Sequence, residues 1–230
     1  SNSDGSITSQ VSANQDAGFS IVTYTGDGDS AATVGHGLGV TPNFVLLKRR
    51  TGGLGNWQVG ETSIFGVYEM YLNTTDSITD GANEYSVTST VIDLNSSHFG
   101  SNANGSTYVA YCWHNVPGFS KFGIYTGNGN ADGPFIHCGF KPAWVLLKSK
   151  AGGSWELYDT TRDTYNQSEK TLEPNSNAQE GSGYPIDILS NGFKVRTSNS
   201  QINYSSYNYI FAAFAEAPSN NLFGGQANAR

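Results

Sequence analysis

Short segments with the hydrophobic pattern of β-strands recur along the chain, separated by clusters of glycine, asparagine, aspartate and serine. The segment "FSIVTYTG" from Phe19 alternates apolar and polar positions, whereas "FVLLKRR" from Phe44 and "WVLLKS" from Trp144 are short apolar runs. Alternation and β-branched or aromatic runs bounded by turn residues predict strands. No window shows the sustained apolar period of about 3.6 residues that a helix needs. The pattern therefore predicts an all-β fold.

The strand pattern occurs twice, because the chain contains an internal duplication. The matching segments keep the same order in both halves: "GFSIVTYTGDG" from Gly18 with "GFSKFGIYTGNG" from Gly118, "HGLGVTPNFVLLK" from His36 with "HCGFKPAWVLLK" from His137, "GGLGNWQV" from Gly52 with "GGSWEL" from Gly152, "DLNSSHF" from Asp93 with "DILSNGF" from Asp187, and "TYVAYCWHNVP" from Thr107 with "NYIFAAFAEAP" from Asn208. Chance similarity of composition would not preserve this order.

The duplication fixes the predicted domain organisation. Residues 17–117 form repeat one and residues 118–218 form repeat two, preceded by an expression scar and linker at 1–16 and followed by a C-terminal tail at 219–230. No flexible spacer separates the repeats, so we expect them to pack as a single domain. At about six or seven strands per repeat, the prediction is a large antiparallel β-sandwich, jelly-roll or lectin-like, with about 12–14 strands.

Composition narrows the classes of partner. Only 13% of the residues are charged, the net charge is −7 and the pI is near 4.9. Nucleic-acid affinity comes largely from clustered Lys and Arg, so no nucleic-acid partner is expected. No apolar run reaches the roughly 20 residues that span a bilayer, so no membrane insertion is expected. A surface rich in Asn, Ser, Thr, Gly and Tyr suits contact with sugars or proteins.

The two cysteines and the histidines suggest no metal or cofactor. Cys112 and Cys138 both lie in apolar strand-like runs, which favours buried free thiols over a disulfide between them. His36 and His137 precede matching glycine-rich turns, and their duplication favours a structural role over a catalytic one. No spacing resembles a zinc site. We expect no cofactor.

The repeated glycine phrase invites a ligand-binding interpretation. A phosphate loop needs a helix after its glycines, and here a strand follows. In the second copy, Asn128, Asn130 and Asp132 stand at the first, third and fifth positions of a calcium loop, but the position of the bidentate Glu is Gly139. An Asx-rich turn accounts for the same letters. The phrase is therefore predicted to be a turn, with calcium as the alternative.

An acidic cluster in repeat two is the candidate for hydrolytic chemistry. Glu156, Asp159 and Asp163 surround Arg162 in "ELYDTTRD", where repeat one reads "QVGETSIF". A salt bridge within a loop with Arg162 is the structural interpretation. A pair of carboxyl groups that cleaves a glycosidic bond is the enzymatic alternative.

Comparison of the copies separates candidates for folding from candidates for function. Residues shared by both copies are expected to build the fold: Tyr24 and Tyr125, Trp57 and Trp155, Phe44 and Trp144, Tyr108 and Tyr209. Tyrosines in segments that differ are the candidate ligand-binding residues, because tyrosine among Asn and Ser suits sugar stacking with hydrogen bonding. These are Tyr68, Tyr71, Tyr165, Tyr204 and Tyr207.

The duplicated frame "GFS…YTGNG…H…G…P.WVLLK…W…YD..R..YN" resembles repeat domains of tail-fibre and related virion proteins of tailed phages, particularly marine podoviruses. The resemblance extends over nearly the whole chain after Ala17 and is strongest in "VPGFSKFGIYTGNGNADGPFIHCGFKPAWVLLK". It implies location in the virion, contact with other virion subunits and contact with the host surface, and it implies no catalytic residues.

The expected function is therefore recognition of a bacterial surface glycan or surface protein during adsorption. A structural capsid or appendage decoration protein is the first alternative, and a glycan depolymerase that uses Glu156, Asp159 or Asp163 is the second. A homotrimer is an expectation taken from fibre proteins as a class.

Overall fold

The computed structural model describes residues 1–53, 55–65, 68–80, 85–94 and 100–217. Over these residues the chain forms seventeen strands and one helix, Ser200–Asn203 (α1), and every strand pairing is antiparallel. The predicted all-β, sandwich-like class is confirmed. In the same residues, no helix has the length and apolar character needed to cross a membrane.

The chain divides into two compact units. The first unit comprises residues 1–73 and 78–115, and the second comprises residues 74–77 together with 116 onwards. Each unit therefore contains one copy of the duplicated sequence. The prediction that the two copies pack as a single domain stays a prediction.

The first unit consists of ten strands: β1 Gln10–Asn14, β2 Phe19–Thr25, β3 Ala32–Gly35, β4 Phe44–Arg49, β5 Trp57–Glu61, β6 Tyr68–Glu69, β7 Thr79–Asp80, β8 Ser86–Val87, β9 Val91–Leu94 and β10 Thr107–Trp113. A five-stranded sheet has the order β1-β2-β10-β4-β5, a three-stranded sheet has the order β3-β9-β8, and β6 pairs with β7. The strands shorter than three residues, together with β1, raise the number of strands above the predicted 12–14.

The second unit consists of seven strands: β11 Ser120–Thr126, β12 Phe135–His137, β13 Trp144–Ser149, β14 Trp155–Asp159, β15 Ile186–Leu189, β16 Gly192–Val195 and β17 Asn208–Phe214. A four-stranded sheet has the order β11-β17-β13-β14, and a three-stranded sheet has the order β12-β16-β15. These orders match those of the first unit, apart from β1 and the β6–β7 pair.

Each unit has its own apolar core between its larger and its smaller sheet. In the first unit, Val22, Leu47 and Tyr108 from the larger sheet pack with Val34 and Ile92 from the smaller sheet. The second core is built in the same way, with Leu147, Tyr209 and Phe211 against Ile136 and Phe193. Burial of these alternating positions is what selects the face that each strand turns inward.

One pair of core positions shows how the two copies conserve volume. Val22 of β2 lies opposite Ala110 of β10, whereas the equivalent strands of the second unit place Gly123 opposite Phe211. A Cβ atom added to Gly123 would lie 3.2 Å from Cε1 of Phe211. The larger ring on β17 thus occupies space that the missing side chain on β11 leaves. Volume-conserving exchanges of this kind are tolerated in cores.

The prediction that residues 1–16 are a scar and linker is wrong. β1 pairs with β2 from Gln10 opposite Thr23 to Asn14 opposite Phe19. Ile7 forms a parallel bridge with Val34, and both Ile7 and Val11 pack against the first core. The segment looked polar overall, but its few apolar residues occur on one side of an extended chain. It therefore forms an edge strand of the first sheet.

The predicted match between Asp93 and Asp187 is also wrong. Ile92 of β9 pairs with the β3 strand in the first unit, and Phe193 of β16 pairs with β12 in the second. β9 therefore corresponds to β16, whereas Asp187 lies in the outer strand β15. The two segments have similar sequences but lie in non-equivalent strands: Asp93 is in the central strand of the first small sheet, and Asp187 is in an outer strand of the second.

The predicted match between His36 and His137 is displaced by one residue. His36 donates its backbone N–H to the Thr90 carbonyl at 3.1 Å, and Cys138 donates its own to the Asn191 carbonyl at 2.9 Å. His36 and Cys138 therefore occupy equivalent positions, since these acceptors lie in the corresponding hairpin turns. His137 comes one residue earlier and is exposed.

His36 has the structural role that was predicted for it. The side chain is buried, its Nε2 lies 3.2 Å from the Thr88 carbonyl, and its Nδ1 accepts the backbone N–H of Leu38 at 3.3 Å. Burial lowers the pKa of His36 and so disfavours the charged form of the ring.

Both cysteines are buried and free, which confirms the predicted free thiols. Burial raises the pKa of Cys112 to about 12 and that of Cys138 also to about 12. Neither thiol is activated as a nucleophile, because reactivity requires the thiolate.

Candidate functional site

The glycine phrase of the first copy is held in place by a buried asparagine. Asn102 accepts the backbone N–H of Asp27 at 3.1 Å through its side-chain carbonyl. Its amide group donates to Oδ1 of Asp27 at 2.9 Å and to the carbonyl of Asp29 at 2.7 Å. Because Asn102 is fully buried, these bonds satisfy polar groups that water cannot reach. The phrase is a clamped turn.

The second copy repeats this clamp with Asn203. Its carbonyl accepts the backbone N–H of Asn128 at 2.8 Å. Its amide donates to Oδ1 of Asn128 at 3.0 Å, to the Asn130 carbonyl at 2.8 Å and to the Thr197 carbonyl at 2.7 Å. The recurrence of the clamp explains why the phrase is duplicated.

Stacked tyrosines support the clamped turn in both copies. The rings of Tyr24 and Tyr108 lie 5.0 Å apart with planes 13° apart, and those of Tyr125 and Tyr209 have the same separation and angle. Tyr24 donates its hydroxyl to the Ser101 carbonyl at 2.6 Å. All four rings are buried. The prediction that these shared tyrosines build the fold is confirmed.

The loop that follows the second clamp presents two exposed tyrosines side by side. Tyr204 is 50% exposed and Tyr207 is 41% exposed. Their ring centroids lie 4.6 Å apart, and the planes are tilted by 52°. Neither phenol hydroxyl forms a hydrogen bond with any other described residue. The pair therefore offers aromatic faces and two free hydroxyl groups at one surface.

The backbone beneath this pair is fixed. Tyr204 donates its backbone N–H to the hydroxyl of Tyr209 at 2.7 Å, and that hydroxyl donates to the Ser200 carbonyl at 2.7 Å. Ser206 has φ +68°, a conformation that residues other than glycine, Asn and Asp rarely adopt. The corresponding residue of the first copy is Gly105, with φ +73°. The second copy thus keeps the same turn while placing side chains on it.

The first copy carries no ring at either tyrosine position. Ala103 and Ser106 occupy the places of Tyr204 and Tyr207, since both loops begin at the clamp asparagine and end at a buried tyrosine. Among the predicted ligand-binding tyrosines whose side chains the structure describes, Tyr204 and Tyr207 form a ring pair.

The other three predicted tyrosines lie elsewhere. Tyr165 is 83% exposed and borders a hollow of about 140 Å³ with Asp163 and Asn166. Tyr165 follows Asp159, which pairs with Trp144 at the first residue of β13. The Tyr204 loop leads into Tyr209, which pairs with Ser149 at the last residue of β13. These two sites are therefore at opposite ends of the second sandwich.

In the first unit, Tyr71 is partly buried and donates its hydroxyl to Oε2 of Glu69 at 2.6 Å. Tyr68 lies in β6, and the prediction for its side chain falls outside the described residues. Tyr71 therefore has a local partner within its own unit, unlike the exposed pair of the second unit.

The acidic cluster is organised around an ion pair between Asp159 and Arg162. Glu156 and Asp159 are three residues apart in β14, so their side chains leave opposite faces of the strand. Asp159 pairs with Arg162, which also pairs with Glu180 at 2.8 Å. The hydrogen bonds and charge of Arg162 outweigh partial burial and lower the pKa of Asp159. The predicted loop salt bridge is confirmed.

Asp163 and Glu156 have separate environments. Asp163 accepts the backbone N–H of Glu169 at 2.7 Å and that of Lys170 at 3.1 Å. Glu156 is only 1% exposed, and neither of its carboxyl oxygens forms a hydrogen bond of normal geometry. Burial raises the pKa of Glu156 to about 7, although Thr171 lies close enough to lower it in part.

The calcium candidates are engaged in protein contacts. Oδ1 of Asn128 accepts the backbone N–H of Asn130, and Oδ1 of Asn130 accepts that of Asp132, each at 2.9 Å. Asp132 forms ion pairs with Lys194 at 2.8 Å and with Arg196 at 3.3 Å. Within the described ranges, no group of three or more His, Cys, Asp or Glu residues could hold a metal ion. The segment is the predicted Asx-rich turn.

Residues 1–218 match a family described as a domain of unknown function, DUF7483. The chain belongs to the DUF7483 family. No curated protein and no solved structure matches it.

The matched range of the DUF7483 domain includes both copies and the N-terminal strand β1, in agreement with the packing of that strand on the first core. Sequence reasoning missed the clamp asparagines of this domain. The signal was present, because Asn102 and Asn203 each precede a shared tyrosine, Tyr108 or Tyr209, by the same number of residues.

Proposed function

We propose that this DUF7483 domain is a host-recognition module of a tailed-phage appendage, and that it binds a bacterial surface glycan through Tyr204 and Tyr207. The observation that carries the proposal is the exposed ring pair, with centroids 4.6 Å apart. Aromatic faces with polar edges stack on sugar rings and hydrogen-bond to their hydroxyl groups. The virion context rests on the sequence resemblance to tail-fibre proteins.

The rigid support of the pair favours binding. Loops that must be ordered on binding lose affinity, because each immobilised side chain costs about 0.5–1.5 kcal/mol. The clamp at Asn203 and the hydrogen bond from Tyr204 to Tyr209 hold the loop before any ligand arrives. Weak individual contacts suffice for adsorption, since several copies on one particle add avidity.

Binding of the fluorescently labelled chain to candidate host cells and to isolated surface polysaccharide tests the proposal. The double variant Tyr204→Ala/Tyr207→Ala should lose about fivefold to 150-fold in affinity, which corresponds to the loss of about 1–3 kcal/mol for an aromatic stacking contact. Tyr165→Ala is the matched control, because it removes an exposed tyrosine at the opposite end of the second unit. Circular dichroism of all variants checks the fold.

Equal binding by the wild type and the double variant would refute the proposed site. Release of oligosaccharides from the polysaccharide would indicate a depolymerase. Absence of any retention on cells or polysaccharide would favour a structural role in the virion.

A further inference from the structure

The second unit contains a groove in a region that, in the described part of the first unit, is covered by the N-terminal segment. An open depression of about 340 Å³ lies between β11 and β12. Its lining includes Lys121, Gly123, Ile124, Phe135, His137 and Phe211. β11 and β12 are the outer strands of their sheets within the described part of the unit. The groove therefore runs along one side of the sandwich.

Apolar and aromatic side chains form the walls of this groove. Ile124 is 45% exposed and Phe135 is 44% exposed. The ring of His137 stands at 65° to that of Phe135, with centroids 6.4 Å apart. Gly123 has no side chain, so the ring of Phe211 on the neighbouring strand is reached from the groove. The surface combines a flat aromatic face with aliphatic edges.

The first unit covers the same region with its own N-terminal segment. Thr33 and Gly35 flank Val34 of β3, just as Phe135 and His137 flank Ile136 of β12. Thr33 and Gly35 therefore correspond to Phe135 and His137. The backbone N–H of Ser6 donates to Thr33 at 2.8 Å, and a Cβ atom on Gly35 would lie 1.7 Å from Oδ1 of Asn2. The rings of Phe135 and His137 leave no room for a segment packed in this way, so the groove stays open to solvent.

The charge of the groove has the opposite sign to that of the whole chain. The chain carries a net charge of −7, but no residue that lines the groove is acidic. Lys121 supplies a positive charge. It lies close enough to Cys138, the residue after His137, to offset part of the rise that burial causes in the pKa of that thiol. The nearby Asp132 is already paired with Lys194 at 2.8 Å and with Arg196 at 3.3 Å. Lys121 forms no ion pair with any residue that the structure describes, so the groove presents a cation and an aromatic ring in one lining.

We propose that the groove binds a carboxylate-bearing sugar residue, with its carboxylate at Lys121 and its ring against Phe135. This inference rests on the proposed glycan-binding function and names the class of glycan as acidic. Net repulsion between an acidic protein and an acidic glycan is screened beyond about 8–10 Å at physiological salt. An ion pair between the sugar carboxylate and Lys121 therefore decides the selectivity for acidic over neutral sugars.

The groove lies close enough to the tyrosine pair for one glycan to contact both. Ile124 is two residues from Thr126 on β11, about 7 Å along a strand. The hydroxyl of Thr126 donates to Oδ1 of Asn208 at 2.9 Å, and Asn208 follows Tyr207 directly. An extended oligosaccharide of a few residues can span this distance.

Two matched pairs of polymers test the charge requirement: polygalacturonate with its methyl ester, and polysialic acid with its methyl ester. Affinity is measured by isothermal titration calorimetry on the whole chain. The wild type should bind at least one acidic polymer about tenfold more tightly than its neutral ester, as a charge-assisted contact of about 1.5 kcal/mol predicts. Lys121→Gln should abolish this difference, whereas the matched control Lys170→Gln at an exposed position should keep it.

A second variant separates stacking from charge. Phe135→Ala should weaken binding of the acidic polymer and of its ester alike, because it removes the ring contact. Equal affinity for acid and ester, an unchanged preference in Lys121→Gln, or no binding of either acidic polymer would overturn the inference. In each of these cases the proposed function stands if cell binding still depends on Tyr204 and Tyr207, and it fails if that dependence is absent.

Discussion

Replacement of the buried Glu156 by glutamine tests how the second core responds to pH. Burial raises the pKa of Glu156 from 4.5 to about 7. Below pH 4.5 the carboxyl group is protonated in both the folded and the unfolded chain, so the two states bind the same number of protons. Between pH 4.5 and about 7 the unfolded chain loses this proton while the folded chain keeps it. The free energy of unfolding therefore falls as the pH rises through this range.

The pKa difference sets the magnitude of the effect. One pKa unit corresponds to about 1.4 kcal/mol. A rise from 4.5 to about 7 therefore costs the fold about 3 kcal/mol at pH 8 and nothing near pH 4. Glu156→Gln removes the titration and keeps the size of the side chain. Gln58 is the equivalent residue of the first copy, because each lies opposite the matching leucine of the neighbouring strand, and it is also buried.

Urea denaturation at a series of pH values measures this difference. Hydrogen-exchange mass spectrometry at each pH reads peptides of the two units separately. The variant should match the wild type near pH 4 and exceed it by about 3 kcal/mol at pH 8 in the second unit alone. Glu169→Gln is the control, because it removes a carboxylate that is exposed.

Two results would refute this reasoning. A stability difference that is the same at every pH would show that Glu156 does not titrate between the two pKa values. A variant less stable than the wild type at pH 8 would show that the carboxylate is favourably solvated or paired in the folded chain.

Three further predictions concern the turn, the loop and the thiols. Asn203→Ala should destabilise the second unit by about 3–4 kcal/mol, and Asn102→Ala should destabilise the first unit by about 3 kcal/mol, because each variant removes several buried hydrogen bonds of about 1 kcal/mol. Urea denaturation measures both losses. A loss below about 1 kcal/mol would contradict the clamp. Ser206→Gly should raise stability by about 0.5–1 kcal/mol, because it relieves a positive φ; thermal unfolding checks the sign. Cys112 and Cys138, whose pKa values burial raises to about 12, should resist iodoacetamide at pH 8 until the chain is unfolded, as mass spectrometry would show.

The duplication made the strand class predictable, because two copies of one pattern constrain each other. The N-terminal strand was missed since its apolar residues, Ile7 and Val11, are sparse within a polar segment. Their partners, such as Val34, are distant in sequence, and local pattern does not report pairing of this kind. The same limit explains the displaced match of His36, because the length of the preceding loop differs between the copies.

The candidate site was predictable only in part. Both Tyr204 and Tyr207 were expected to bind ligand, but so was Tyr165, which the strand register places at the other end of the unit. Whether exposed side chains converge depends on which strand ends meet, and this is a property of the sheet order. The groove beside Phe135 was missed because it arises where no strand of the described residues covers β11 and β12, and a single segment of sequence does not reveal this.

The two copies together show how a conserved turn can acquire a binding surface. The buried asparagine and the stacked tyrosines that hold the turn are the same in both units. The outward positions differ, with Ala103 and Ser106 in the first copy and Tyr204 and Tyr207 in the second. Surface substitutions away from such structural contacts usually change stability by less than about 0.5 kcal/mol. The clamp therefore lets outward residues vary at little cost to the fold while it keeps them fixed in position, and a rigid display of this kind is what weak, repeated contacts with a glycan require.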